Sequence, residues 1–157
     1  MLPKIANHVD FECELCAVIG KRGTRIGRHE ALSYVAGYCI GLDMTLRGPQ
    51  FPDFRKSIDT YAVLGPWIVT RDELRDPDNV ATLFELNGRV IQKSNTKDLA
   101  FNVRQIVAHA SRFYTLHPGD VIMAGTPVGF EPVKPGDVMV AIFEGIGRME
   151  VAVRGEP

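Results

Sequence analysis

Between the β-prone runs ATLFEL and RVIQKSN lies Asn87-Gly88, the pair best able to take the two positive-φ positions of a type I′ turn. A two-residue turn of that type makes its flanks antiparallel neighbours, so this part of the chain reads as a β-hairpin. Two Pro-Gly-Asp turns extend the β reading: HPGD precedes VIMAGT, and KPGD precedes VMVAIFEGIGRMEVAV. Only one stretch has convincing long-helix spacing. From Asn102, a good N-cap, Val103, Ile106, Val107, Ala110 and Phe113 recur on one face to about Thr115, leaving Arg104, His109 and Arg112 outward. A short helix from about Glu30 runs into an apolar strand that ends at Asp43. Thr70 with Glu73 fits a capping box opening one helical turn, TRDELRD. TYAVLGPWIV reads as a strand interrupted at Gly65 and Pro66, and Pro49 and Pro52 make 47 to 57 a loop. The expected architecture is mainly β (α+β), with one long helix and short helical turns.

A chain of 157 residues, 45% hydrophobic and 24% charged, has apolar material for one core and too little for two, so residues 1–157 are expected to form one domain. The net charge of −1 offers no global field for nucleic acid or an anionic membrane, and neither is expected as a partner. No apolar run is long enough to span a bilayer, and MLPKIANHVD lacks the basic start and apolar stretch of a signal peptide, so a cytoplasmic location is expected. Three cysteines in such a chain are expected as free thiols. Cys13 and Cys16 have C-x-x-C spacing, but DFECELCAVI reads as a strand. Positions three apart on a strand face opposite sides, so those sulfurs cannot meet.

The same strand carries Glu12 and Glu14, whose side chains leave one face with alpha carbons about 6.5 Å apart. That spacing suits two ligands of one cation, although strand glutamates two apart also commonly just face water. Asp43 ends an apolar strand before the polar stretch MTLRGPQ, a natural place for a third ligand and equally for a turn residue. If the three converge, they form a hard, all-oxygen site suited to Mg²⁺, with Mn²⁺ or Ca²⁺ as alternatives, and unlike the histidine- or cysteine-rich sites of zinc.

Several segments taken together resemble the fumarylacetoacetate hydrolase family. VDFECELCAVIGK is similar to its acidic strand and GLDMTLR to its following aspartate motif. RKSIDTYAVLGPW, FELNGRVIQKSNTKDLAF, LHPGDVIMAGTPVG and PGDVMVAIFEGIGRMEVAV then match in family order over nearly the whole chain from Val9. The resemblance implies the family's roll of mixed β-sheets, a homodimer, and Glu12, Glu14 and Asp43 as metal ligands. It implies substrate contacts from Arg47, Gln50 and Thr126, and an active-site role for Lys56. The implied substrate is a small 2-oxo acid whose carbonyl and carboxylate chelate one cation, so that charge developing as an enolate is drawn onto the metal. Hydrolysis of acylpyruvate C–C bonds, hydration, decarboxylation and keto-enol isomerisation all share that step.

One part of the family pattern has no counterpart here: the histidine-glutamate lid segment that precedes the acidic strand. His29, in the loop after the strand, is the remaining histidine to consider as a base, against its reading as a solvated loop residue. Two function classes follow: a metal-dependent enzyme, and a catalytically weak metal- and oxo-acid-binding module.

Overall fold

Period-two alternation organises the start of the chain. In the computed structural model, which describes residues 1–4 and 6–157, Val9, Phe11, Cys13, Leu15, Ala17 and Ile19 all enter one hydrophobic core. Asp10, Glu12, Glu14, Cys16 and Val18 hold the intervening positions, as an extended backbone requires. Cys16 and Val18 form a small separate cluster with Cys39, so Cys13 and Cys16 do lie on opposite faces, and all three thiols are free and buried.

Strand pairing divides this segment. Strand β1 (Val9–Asp10) and β2 (Cys13–Ile19) are separated by Phe11 and Glu12, which corrects the expectation of one strand over 10 to 19. Each half has a different partner. β2 pairs with β3 (Val35–Asp43), placing Glu14 opposite Gly41. β1 pairs instead with β4 (Thr45–Leu46), so the stretch after Asp43 continues as buried strand before it becomes loop. The backbone N–H of Asp43 still donates to the Glu12 carbonyl at 2.9 Å, holding the link against the end of β3.

A short 3-10 helix, Ala31–Tyr34, leads into β3 as anticipated. The segment 47 to 57 is not all loop: α1 (Pro52–Lys56) starts with proline in its first turn, where the missing N–H costs nothing. β5 (Ala62–Leu64) and β6 (Val69–Thr70) both pair with β3, on either side of the Gly65-Pro66 break. The expected helical turn after Thr70 is only a hydrogen-bonded turn. Glu73 accepts from the Thr70 N–H at 3.2 Å and its hydroxyl at 3.0 Å, but no helix propagates.

β7 (Ala81–Leu86) and β8 (Arg89–Asn95) form the expected hairpin, with φ of 54° at Asn87 and 76° at Gly88. Helix α2 (Val103–Phe113) carries a complete capping box, Asn102 accepting from the Gln105 N–H and Gln105 accepting in return. Its inward face differs from the expected stripe. Val103, Val107, Ala108 and Ser111 are buried, whereas Phe113 is 70% exposed; Arg104, His109 and Arg112 point outward as expected. The cause lies in the 24–26 loop, whose Arg25 N–H donates to the Ser111 carbonyl and whose Ile26 N–H donates to Ser111 Oγ. Those bonds set the loop against the side of the helix that carries Ser111, while Phe113, two residues on, lies on another side. β9 (Val121–Met123), β10 (Val138–Phe143) and β11 (Gly147–Ala152) complete the strands.

Two main sheets result, in the orders β5-β3-β2-β9, with β6 beside β3, and β11-β10-β7-β8; β1 and β4 form a third, small sheet. Their strand pairings are antiparallel, and the one parallel element among the described residues is the bridge from Leu2 to Gly155. The core fills the space between the main sheets, where Phe11 stacks on Phe84 with ring centroids 4.1 Å apart. Among the described residues no helix is long and apolar enough to cross a membrane.

Candidate functional site

With Phe11 and Cys13 drawn into the core, Asp10, Glu12 and Glu14 are left facing the opposite way, toward the end of β3. Carboxylate oxygens of Glu12, Glu14 and Asp43 lie within 4.8 Å of one another. Opposite Glu14, Gly41 leaves room for the Cys16 thiol: a Cβ there would lie 2.3 Å from Cys16 Sγ.

Two cations face the carboxylates. Lys56, at the end of α1, donates through Nζ to Glu12 Oε2 at 2.8 Å, Asp43 Oδ2 at 2.5 Å and Thr45 Oγ1 at 2.8 Å. Arg47 donates through Nη2 to Glu12 Oε1 at 2.8 Å and through Nε to Asp10 Oδ2 at 2.7 Å, while its guanidinium lies over Phe130, 5.2 Å from the ring centroid. Desolvation pulls both cations down, but the hydrogen bonds they donate to their carboxylate partners, with the attraction of those negative charges, outweigh it and hold each above its ordinary pKa. Lys56 is therefore an ammonium here, with the chemistry of a donor and a charge.

Glu14 has the opposite environment. Burial, then repulsion from Asp43 and Glu12, pushes it up to about 7, against the lowering effects of the Gly125 N–H, which donates to Oε2 at 2.5 Å, and of Lys56. Counting Asp10, four carboxylates meet two cations, so the fully ionised group has an excess of two negative charges, which one divalent cation balances. The donor set fits a hard divalent ion.

Thr126 follows Gly125 in the GTP turn, and its hydroxyl is fixed by Gln92, whose Nε2 donates to Oγ1 at 3.2 Å and to the Pro127 carbonyl at 3.1 Å. Gly125 and Thr126 also line a cavity of about 120 Å³ with Ser94, Thr96 and Asp98. Gln50 is exposed and folds over Gly48, and no hydrogen bond joins it to the carboxylates. His29 is not brought to the site. Its side chain is 84% exposed and paired with Glu30 at 3.2 Å, because the 21–30 loop leaves the far end of β2.

Sequence reasoning missed Asp10, Thr45 and Gly125, and His8, which has i to i+4 spacing with Glu12, lies instead against Asp10, its Nε2 2.9 Å from Oδ1. Asp10 was within reach, since it continues the period-two series of Glu12 and Glu14. Gly125 was not, because nothing local marks a backbone N–H as the partner of a distant carboxylate.

The chain as a whole is similar to known proteins. The family profile described as fumarylacetoacetate (FAA) hydrolase C-terminal matches residues 1–154. A maleylpyruvate hydrolase of Aquipseudomonas alcaligenes is 54% identical over 145 residues, covering 92% of this chain and 50% of that protein. The maleylpyruvate hydrolase of Sphingobium sp. SYK-6, solved in complex with manganese(II) and pyruvate, superposes with a TM-score of 0.95 at 37% identity, over 100% of this chain and 59% of that one. The fumarylpyruvate hydrolase of Pseudomonas aeruginosa, solved with Mn²⁺ and pyruvate, gives 0.93 at 32% identity, over 99% and 70%. This chain belongs to the fumarylacetoacetate hydrolase family. It spans half the length of the curated maleylpyruvate hydrolase it matches.

Proposed function

We propose that this chain is the catalytic core domain of a divalent-metal-dependent enzyme acting on a small 2-oxo acid, with Glu12, Glu14 and Asp43 as ligands of Mg²⁺ or Mn²⁺. The observation that carries the reading is the convergence of three carboxylates within 4.8 Å, faced by two cations. A divalent cation bound there supplies Lewis-acid stabilisation of the negative charge that develops on the oxo acid. The chain's own residues do the rest. Arg47 offers a planar, fixed fork to the substrate carboxylate, oriented by Asp10 and Phe130. Lys56, held as an ammonium, neutralises charge beside the ligands and can donate a proton. Thr126, fixed by Gln92, presents its hydroxyl at the turn whose preceding N–H binds Glu14. Gln50, on the exposed loop, is the more distal substrate contact.

Hydrolysis of an acylpyruvate C–C bond is the preferred reaction, supported by the maleylpyruvate hydrolase at 54% identity. A homodimer is the proposed assembly, supported by the exposed Leu64, Trp67 and Ile68 at the edge of the larger sheet. The test is calorimetric titration with Mn²⁺ and Mg²⁺, then with oxalate, followed by assays of acylpyruvate cleavage and oxaloacetate decarboxylation against metal-matched buffer. Metal-dependent oxalate binding and acylpyruvate turnover are expected. Oxalate binding that ignores the metal would remove the basis of the proposal.

A further inference from the structure

We propose that the face formed by the 24–28 loop and helix α2 binds a phosphate-bearing small molecule. An open cavity of about 680 Å³ lies there, within the size range of small-molecule sites. Arg25, Arg28, Arg112 and His109 line it, and no carboxylate does. Among the described residues none of these four side chains makes an ion pair, and the neighbouring acid, Glu30, is paired with His29. The chain as a whole carries a net charge of −1, so this gathering of cations is not a by-product of a basic protein. Three guanidiniums without counter-ions repel one another, and an anion placed among them removes that cost.

The frame is built rather than loose. Ser111 is fully buried, and its carbonyl and hydroxyl accept from the N–H groups of Arg25 and Ile26 at 2.7 and 2.9 Å. Arg25 is held at φ 52°, a region that non-glycine residues seldom enter. Guanidiniums pair in bidentate fashion with carboxylates and phosphates alike, but three of them lining one cavity offer more donors and more charge than a single carboxylate can use, which favours the three oxygens and nearly double charge of a phosphate. Phe113, exposed and edge-on to His109 with centroids 5.3 Å apart, adds a flat apolar wall. A nucleotide would use both parts; a sugar phosphate or inorganic phosphate would use the arginines alone. The site shares no residue with the carboxylate group and does not depend on the function proposed for it.

The test is calorimetry of the chain in chelator-containing buffer, titrated with pyrophosphate, ADP and a polyglutamate peptide. Pyrophosphate and ADP should bind one per chain, more weakly as salt rises. The exposed pair Arg28→Gln/Arg112→Gln should weaken both by at least about ten-fold without changing the melting temperature. ADP binding tighter than pyrophosphate, with the difference lost in Phe113→Ala, identifies a nucleotide; equal affinities identify the phosphate group alone. The proposal is overturned if neither phosphate compound binds, if binding survives the double substitution, or if Lys56→Met abolishes it instead. Binding of polyglutamate alone would likewise overturn it, in favour of an acidic protein partner.

Discussion

The backbone N–H of Gly125 donates to Glu14 Oε2 at 2.5 Å, across 111 positions of sequence. Through this contact the GTP turn becomes a wall of the carboxylate group, and Thr126 comes to stand beside the proposed ligands. Glu14 is also the most buried of the three carboxylates, so this N–H is the main compensation for its lost hydration.

Removing one anionic donor should weaken the cation site. Asp43→Asn and Glu12→Gln are each expected to lower Mn²⁺ affinity by at least about ten-fold in calorimetric titration, because a hard ion depends on ligand charge. In crystals soaked with Mn²⁺, anomalous density should lie about 2.0 to 2.6 Å from oxygens of all three residues. A peak elsewhere, or unchanged affinity in Asp43→Asn, would exclude these ligands.

Glu14 sets a pH dependence whose sign is unusual for a carboxylate. Its folded value of about 7 lies above the ordinary 4.5, so between those values the folded state holds the proton more tightly. Its contribution is most favourable below about 4.5 and is lost as pH rises through 7, by up to about 3 kcal/mol. Chemical denaturation of the metal-free protein from pH 4.5 to 8 should show that decline in the wild type and a flatter profile in Glu14→Gln. Equal slopes would mean that Glu14 is not the titrating group.

Asp10 holds Arg47 without belonging to the proposed ligand set. Asp10→Asn should leave Mn²⁺ binding close to wild type while weakening oxalate binding to the metal-loaded protein by about ten-fold, as the guanidinium loses its charge-assisted partner. Arg47→Lys should not restore it, since an ammonium cannot reproduce the fork. Parallel loss of metal and oxalate in Asp10→Asn would show that Asp10 supports the cation site directly.

The capping box of α2 provides a stability test remote from the chemistry. Asn102→Ala is expected to cost about 1 kcal/mol and lower Tm by about 2 to 4 °C, with Asn102→Asp close to neutral because it keeps an acceptor. A loss as large from Asn102→Asp would mean that the cap oxygen is not what matters.

What the sequence determined by itself is what local backbone geometry determines. Asn87-Gly88 specifies a hairpin through its φ angles, Asn102 opens α2, and period-two alternation puts Glu12 and Glu14 on the face opposite Phe11 and Cys13. The candidate ligands were legible for that reason, and the resemblance in family order supplied the roles that spacing left open. Tertiary structure decided the rest. The 24–26 loop binds Ser111 and so covers that side of α2, a pairing of segments 85 residues apart, and Phe113 is left facing outward. His29 remains on the surface because its loop leaves the far end of β2, and Lys56 reaches Glu12 and Asp43 because α1 folds back over the end of β3. Spacing along one strand fixes which way side chains point, but the elevated pKa of Glu14, the pairing of Asp10 with Arg47 and the reach of Gly125 all depend on burial and on atoms brought close by the folded sheets. Burial and proximity of that kind are absent from the extended chain.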